Sequence, residues 1–333
     1  MPELRQNLAT KEWYVIASER AKRPSDFNEI ERYRENVTYS EKCPFCPGHE
    51  EMTECKKSIL KEDGSWLVRS VLNKYPALSF TGDRERQTRG IYRRMNAVGW
   101  HEVIIESPIH NHFFTDMTLE HIECIIRTYL DRFNAAMQDD RVEAVLIFKN
   151  YGSTAGSSLT HPHSQMIAMP IVPMPVRKHL EAAKLYYDDT GQCALCVMTK
   201  EEMDDGIRIV TKNNSFVVFC PYASGTPFES WIVPLKHNPN FGSISEVEIA
   251  DLAKIMKDVF SRYYHGLKDP DFNFVVKTPP RDESNDRSFH WFIHILPKLT
   301  KQAGFELGTG MLINPTLPEK NAEFLRNVKV PEV

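Results

Sequence analysis

An α+β fold in which one architecture occurs twice is predicted by three observations. Short β-like runs are interleaved with single helix-period segments, each half carries a C-x-x-C pair (Cys43/Cys46 and Cys193/Cys196), and each half ends on a histidine cluster (His161 to Gln165, and Phe289 to His294). In the first half the alternating run Trp13 to Ile16 reads as a strand and is followed by the basic turn Glu19 to Pro24. Trp66 to Val71 and Glu102 to Glu106 read as further strands. Leu119 to Met137 reads as an amphipathic helix, because Ile122, Ile125, Ile126, Leu130 and Phe133 recur at helical spacing. The strand Glu143 to Phe148 then runs into a glycine-bearing loop and HPHSQ. The second half repeats the order with strands Ile207 to Val210, Ser215 to Phe219 and Ser230 to Val233, a helix Val247 to Tyr264 and a strand Phe272 to Lys277. Glu102 precedes His110 by eight positions and Glu229 precedes His237 by eight, which suggests equivalent sites. The proline-rich start of the segment 170–191 marks it as the link, giving units 1–170 and 171–333.

Composition limits the function. With 41 Lys+Arg against 45 Asp+Glu the net charge is −4, so a polyanion-binding surface is not indicated, although a local cluster still suffices for small anions. The N-terminal residues are polar where an export signal is apolar, and no stretch has the length of a membrane span; the expected location is cytoplasmic. Seven cysteines, an odd number, argue against a disulfide framework, and the two C-x-x-C pairs point to metal or redox chemistry.

Zinc takes four thiolate or imidazole ligands in a tetrahedron, and a C-x-x-C turn brings two sulfurs to one point. Each half needs two more. The candidates are His161 with His110 or His112 in the first half, and His237 with His290 or His294 in the second. The competing reading is a pair of buried cysteines or a redox couple, which two pairs at matching places disfavour.

The segment Phe148 to Gln165 carries the chemistry. Gly152 and Gly156 allow close backbone approach to a phosphate, and Ser157, Ser158 and Thr160 offer donors. His161 and His163 alternate, so in an extended chain they face opposite ways: one can ligate metal while the other meets a ligand. A neutral imidazole attacks phosphorus if its second nitrogen is held by an acceptor. Gln165, back on the ligand side, can steady a phosphoryl oxygen. Arg20 and Arg23 offer forked donors to phosphate, against the plain reading of a solvated basic turn.

These motifs resemble the galactose-1-phosphate uridylyltransferase family of the histidine-triad superfamily, from about Leu8 to Pro315. ERAKRP at Glu19, CPFCPGHE at Cys43, NKYPAL at Asn73, ESPIH ending at His110, HPHSQ at His161 and GFELGTGMLINP at Gly304 carry the resemblance. It implies a duplicated histidine-triad (HIT-like) α+β fold, two antiparallel half-barrel repeats with flanking helices, and a homodimer. It also implies ping-pong transfer through a nucleotidyl-histidine, from a nucleotide donor to a sugar 1-phosphate or inorganic phosphate. His163 is then the nucleophile and Gln165 its oxyanion partner. Arg20, Arg23, Asn150 and Ser158 contact phosphates, and Asn73 sits near the ribose. Two structural zinc ions are implied, at Cys43, Cys46, His110 and His161, and at Cys193, Cys196, His237 and His290.

Two departures bear on substrate. Hexose uridylyltransferases carry F-E-N-R/K-G where this chain has Phe148-Lys149-Asn150-Tyr151-Gly152, and a hexose-gripping Tyr-Glu where it has Thr309-Gly310. Adenylyl-transferring relatives, the ADP-glucose phosphorylases and adenylylsulfate:phosphate adenylyltransferases, share both. A histidine-triad hydrolase would end the motif with a further histidine instead of Gln165, and a purely scaffolding zinc protein leaves Arg20, Arg23, Gly152 and Gln165 unexplained.

Overall fold

The protein is described here from a computed structural model, which covers residues 1–17, 36–284 and 286–330. Arg20 and Arg23 lie outside the described residues. The strands are β1 (Glu3–Gln6), β2 (Trp13–Ile16), β3 (Cys55–Leu60), β4 (Trp66–Leu72), β5 (Gln87–Arg89), β6 (Tyr92–Arg94), β7 (Trp100–Ile105), β8 (Ala144–Tyr151), β9 (His163–Met169), β10 (Ile209–Lys212), β11 (Phe216–Phe219), β12 (Ser230–Pro234), β13 (Phe272–Lys277), β14 (Phe292–Pro297) and β15 (Ile313–Asn314). The helices are α1 (Leu119–Met137), α2 (Met174–Thr190), α3 (Ala194–Asp205), α4 (Glu246–Gly266), α5 (Gly304–Thr309) and α6 (Pro318–Asn327).

Ten strands form one antiparallel sheet in the order β10-β11-β12-β14-β13-β8-β9-β7-β4-β3. Outward from the central β13–β8 pair, each half runs fourth strand, fifth, third, second, first. The duplication expected from the sequence is therefore visible as a palindromic strand order, with the two repeats joined edge to edge rather than standing as separate sheets. Each half also inserts one long helix, α1 or α4, between its third and fourth strands. The N-cap Thr118 accepts from the His121 N–H at the start of α1, and α4 opens with a capping box between Ser245 and Glu248. Ile122, Ile126 and Phe133 of α1 and Leu252, Val259 and Phe260 of α4 bury against one face of the sheet in a core that spans both halves.

The other face holds the histidines. Along β9 the side chains alternate, so Ser164, Met166 and Ala168 enter the helix-covered core while His163 and Gln165 point to the opposite side. Two small clusters cover that side, one around the Cys43/Cys46 turn with Val103 and Ile105, the other around Cys193 with Trp231, Val233 and Phe292.

Three sequence expectations change. Much of the linking segment 170–191 is helical, as α2: Pro173 is the N-cap and Pro175 sits in the first turn, where proline starts a helix rather than breaking one. Strand β9 begins within the histidine motif. And the eight-residue Glu-to-His spacings are not equivalent. Gln165 pairs with Val103 but His294 pairs with Trp231, so by register Glu229 matches His101, not Glu102. Glu102 turns into the core to accept from Ser70 and Arg132, whereas Glu229 accepts from His294.

Gly99 (φ 151°) precedes β7, and an added Cβ would stand 2.1 Å from the Ala168 carbonyl oxygen on β9. Backbone cannot give way as a side chain can, so Gly99→Ala is expected to destabilise the fold by about 2–3 kcal/mol, measured as a lowered denaturation midpoint.

Candidate active site and metal centres

The C-x-x-C turn at Cys43 and Cys46 meets His110, from the loop after β7, and His161, just before β9, so that the four ligand atoms lie within 4.8 Å of one another. Cys46 Sγ is 3.4 Å from His110 Nδ1 and 3.6 Å from His161 Nδ1, and the two Nδ1 atoms are 3.3 Å apart. A tetrahedron with metal–sulfur bonds of about 2.3 Å and metal–nitrogen bonds of about 2.0 Å has nitrogen–nitrogen and sulfur–nitrogen edges of roughly 3.3–3.6 Å, so the cradle fits a dication of that size. The backbone N–H groups of Ser40 and Phe45 donate to Cys46 Sγ and Cys43 Sγ, which favours thiolates. Cys193, Cys196, His237 and His290 form a second such group, with Cys196 Sγ 3.2 Å from His237 Nδ1 and 3.4 Å from His290 Nδ1. Of the alternatives, His112 instead bonds the Ser107 hydroxyl, and His294 bonds Glu229.

The first cluster is braced from behind. His161 Nε2 donates to the Ser107 carbonyl at 2.7 Å, leaving the Nδ1 lone pair turned to the cluster. In the second, His237 Nε2 and His290 Nε2 are buried with no hydrogen-bond partner among the described residues.

His161 also sets its neighbour. Its main-chain carbonyl accepts from His163 Nδ1 at 2.7 Å, which fixes the proton there and leaves Nε2 with the lone pair. Burial lowers the His163 pKa, and the nearby Lys149 ammonium lowers it further against the opposing His161 hydrogen bond, so the ring is neutral at physiological pH. Burial likewise pushes His161 down to about 3. Phe45 sets its ring edge-on against His163, centroids 5.6 Å apart.

Lys149, the departure in the F-K-N motif, is buried. It donates to the His163 carbonyl at 3.1 Å and pairs with Glu106, whose other oxygen accepts from Tyr129 at 2.8 Å and from Ser164. Lys149 holds the Glu106 carboxyl below the usual range against the cost of burial. The lysine at this departure from the hexose-type motif is thus a buried partner of Glu106 beneath His163. Neither Lys149 nor Glu106 was singled out as a site residue from the sequence, although Glu106 opens the ESPIH motif.

A cavity of about 480 Å³ opens at His163, walled by Asn150, Gly152, Ser157, Ser158 and Thr160. Asn150 Oδ1 accepts from Asn273 at 2.8 Å, which turns the Asn150 NH₂ outward as a donor. Ser158 makes no side-chain hydrogen bond within the described residues. Ser157 lines the cavity and also holds the loop, its hydroxyl donating to Leu159 O and its N–H to Gly152 O. At Gly152 (φ 86°), which lines the cavity, a Cβ would lie 2.1 Å from the Asp271 carboxylate held by Thr154, so close packing also demands glycine. Gln165 stands beside this wall, two positions beyond His163 on the same face of β9, and Asn73 lies on the far side of it. They meet each other through His101, which sequence reasoning missed. Thr309 and Gly310 line a different cavity over the second half, where Gly310 (φ 73°) ends α5 and the Thr309 hydroxyl bonds Phe305 O.

A ten-stranded sheet with a duplicated Cys₂His₂ plan and a histidine lining a polar cavity fits a nucleotidyltransferase, and sequence comparison agrees. Residues 1–173 match the galactose-1-phosphate uridyl transferase N-terminal domain and residues 144–332 its C-terminal domain. The chain belongs to this family. It is 35% identical over 99% of its length to the ADP-glucose phosphorylase of Arabidopsis thaliana, covering 93% of that protein, and 28% identical to the galactose-1-phosphate uridylyltransferase of Thermotoga maritima, with 99% of each chain covered. The Arabidopsis enzyme solved with bound ADP-glucose superimposes with a TM-score of 0.84 at 32% identity, covering 99% of this chain and 100% of that one. A uridylyltransferase structure gives 0.75 at 26% identity, with 98% of each chain covered.

Glu106→Gln keeps the shape of the side chain but strands the Lys149 charge in the core, and is expected to cost about 3–5 kcal/mol of stability in denaturant unfolding. The replacement of both residues by apolar side chains, Glu106→Leu with Lys149→Met, should recover most of that loss.

Proposed function

We propose that this protein transfers a nucleoside monophosphate from a nucleotide-sugar donor to phosphate or a sugar 1-phosphate through a covalent nucleotidyl-His163. One observation carries the reading: a neutral ring, Nδ1–H held by the His161 carbonyl, with Nε2 left to face the cavity. Nε2 attacks the α-phosphorus, an N–P bond forms as the bond to the leaving oxygen breaks, and the donor's sugar 1-phosphate departs. The positive charge on the ring is spread to Nδ1–H and the carbonyl it meets. An oxygen of the acceptor phosphate then attacks the same phosphorus and Nε2 leaves with its electron pair. Asn150, Ser158 and Gln165 serve as donors to the phosphoryl oxygens, with Arg20 and Arg23 assigned the same task from the sequence.

Phosphorolysis of ADP-glucose, giving ADP and glucose 1-phosphate, is the favoured pairing. The 35%-identical Arabidopsis relative is an ADP-glucose phosphorylase, and Thr309-Gly310 stands where a hexose-gripping pair is expected. Hexose 1-phosphate uridylylation is the second reading, supported by the relative from Thermotoga maritima.

The metal is assigned as zinc, one ion per cluster, acting by tethering the C-x-x-C turn and the residue beside the nucleophile. The reading includes a homodimer working in the cytoplasm, which rests on the family resemblance and the sequence character. It also includes repeat units 1–170 and 171–333, which the palindromic strand order supports. Among the described residues no helix is long and apolar enough to cross a membrane.

Incubation with UDP-glucose, ADP-glucose and adenylyl sulfate separately, followed by intact mass, should show added AMP from ADP-glucose, released by inorganic phosphate as ADP. Added UMP released by a hexose 1-phosphate would establish the second reading instead. His163→Gly should carry no adduct while keeping its fold and metal. A chelator titration should remove the second-half ion first, its affinity lower by about tenfold or more for want of the outer hydrogen bond. Equal loss from both sites would contradict that ordering.

A further inference from the structure

His101 lies on β7 on the same side of the sheet as Gln165, and one backbone donor decides its tautomer. The Ala77 N–H donates to His101 Nδ1 at 3.0 Å, so Nδ1 is the acceptor and the neutral ring carries its proton on Nε2. That Nε2–H lies 2.9 Å from Gln165 Oε1 and donates to it. The carboxamide of Gln165 is thereby oriented: its oxygen is taken by the ring, and its NH₂ makes no hydrogen bond among the described residues. Asn73 is fixed in the same way. Its oxygen accepts from the Tyr75 N–H at 2.9 Å, and its NH₂, 3.1 Å from the same ring nitrogen, finds a donor there and not an acceptor, so it too keeps its hydrogens for a ligand.

The second half uses the matching position for the matching purpose. Glu229, equivalent to His101 by strand register, accepts from His294, the residue that stands where Gln165 does. The fold thus braces this side chain from the neighbouring third strand in both repeats.

We propose that His101 is a positioning residue for nucleotidyl transfer: by donating Nε2–H to Gln165 it presents the Gln165 NH₂ to a non-bridging oxygen of the phosphoryl group at His163. This rests on the transfer reading above. Gln165 would then act as a donor whose orientation is set before substrate arrives, which is what makes such a group effective as charge builds.

The test is a double-mutant cycle on the single-turnover rate of adduct formation, with ADP-glucose and UDP-glucose each as donor. His101→Ala is expected to slow adduct formation by about 10- to 100-fold with little change in the donor concentration for half-saturation, and by less than about twofold when Gln165→Ala is already present. His101→Gln, whose amide nitrogen reaches the place of Nε2, should restore the rate to within about threefold of the parent. An equal loss in both backgrounds, or a His101→Gln variant with parental melting but the His101→Ala defect, would overturn the proposal. If His101→Ala does not fold, the His101→Gln comparison alone decides. Should Gln165→Ala leave the rate unchanged while the adduct still forms, the donor role of Gln165 and that of His101 both fall and covalent transfer stands. If neither donor ever labels the parent enzyme, the transfer reading itself has failed.

Discussion

The hydrogen bond from His163 Nδ1 to the main-chain carbonyl of His161 is the contact on which the rest of the site depends. It works because His161 is held on two sides, by the Cys43, Cys46 and His110 cluster through Nδ1 and by the Ser107 carbonyl through Nε2. A residue held within the Cys₂His₂ cluster therefore supplies a fixed acceptor two positions ahead of His163. Alternation along the extended chain does the rest, sending one ring into the cluster and the other towards the cavity. Beneath them Lys149, itself held by Glu106, donates to the His163 carbonyl, and its charge adds to burial in disfavouring protonation of the ring. Burial, tautomer and charge all favour the one form of imidazole that can attack phosphorus.

The second repeat shows which parts of this plan are scaffold and which are chemistry. It keeps a C-x-x-C pair, two histidines, the helix between the third and fourth strands and the brace across to the third strand. Phe292 occupies the place of His163, stacked on Trp231 with ring centroids 4.3 Å apart. The second Cys₂His₂ group therefore has no histidine two positions beyond His290 to support. Joining the repeats through β8 and β13 puts both clusters on one side of a single sheet and packs α1 against α4 on the other.

Much of this was legible in the chain. Helix α1 was marked by its period, and the histidines that gather at each C-x-x-C pair were among the candidates. What escaped had physical reasons. Strand β3 is largely exposed, so its side chains carry no regular burial signal, and the helix of 174–190 was hidden behind prolines that start it. The spacing from Glu to His matched in both halves while the register did not, because a count along the chain does not see strand pairing. Lys149 appeared from sequence to alter substrate contacts; its ammonium turns out to be a buried partner of Glu106. His101 gave no signal, since its function depends on a backbone N–H from a loop 24 positions earlier.

Nitrogen-15 NMR of histidine-labelled protein, with the His163 signals assigned by their loss in His163→Gly, reports directly on which ring nitrogen carries the proton. A neutral ring protonated at Nδ1 near pH 7, with Nε2 showing the shift of a bare acceptor, is the predicted result. A proton on Nε2, or a doubly protonated ring, would leave no lone pair facing the cavity and would contradict the central claim.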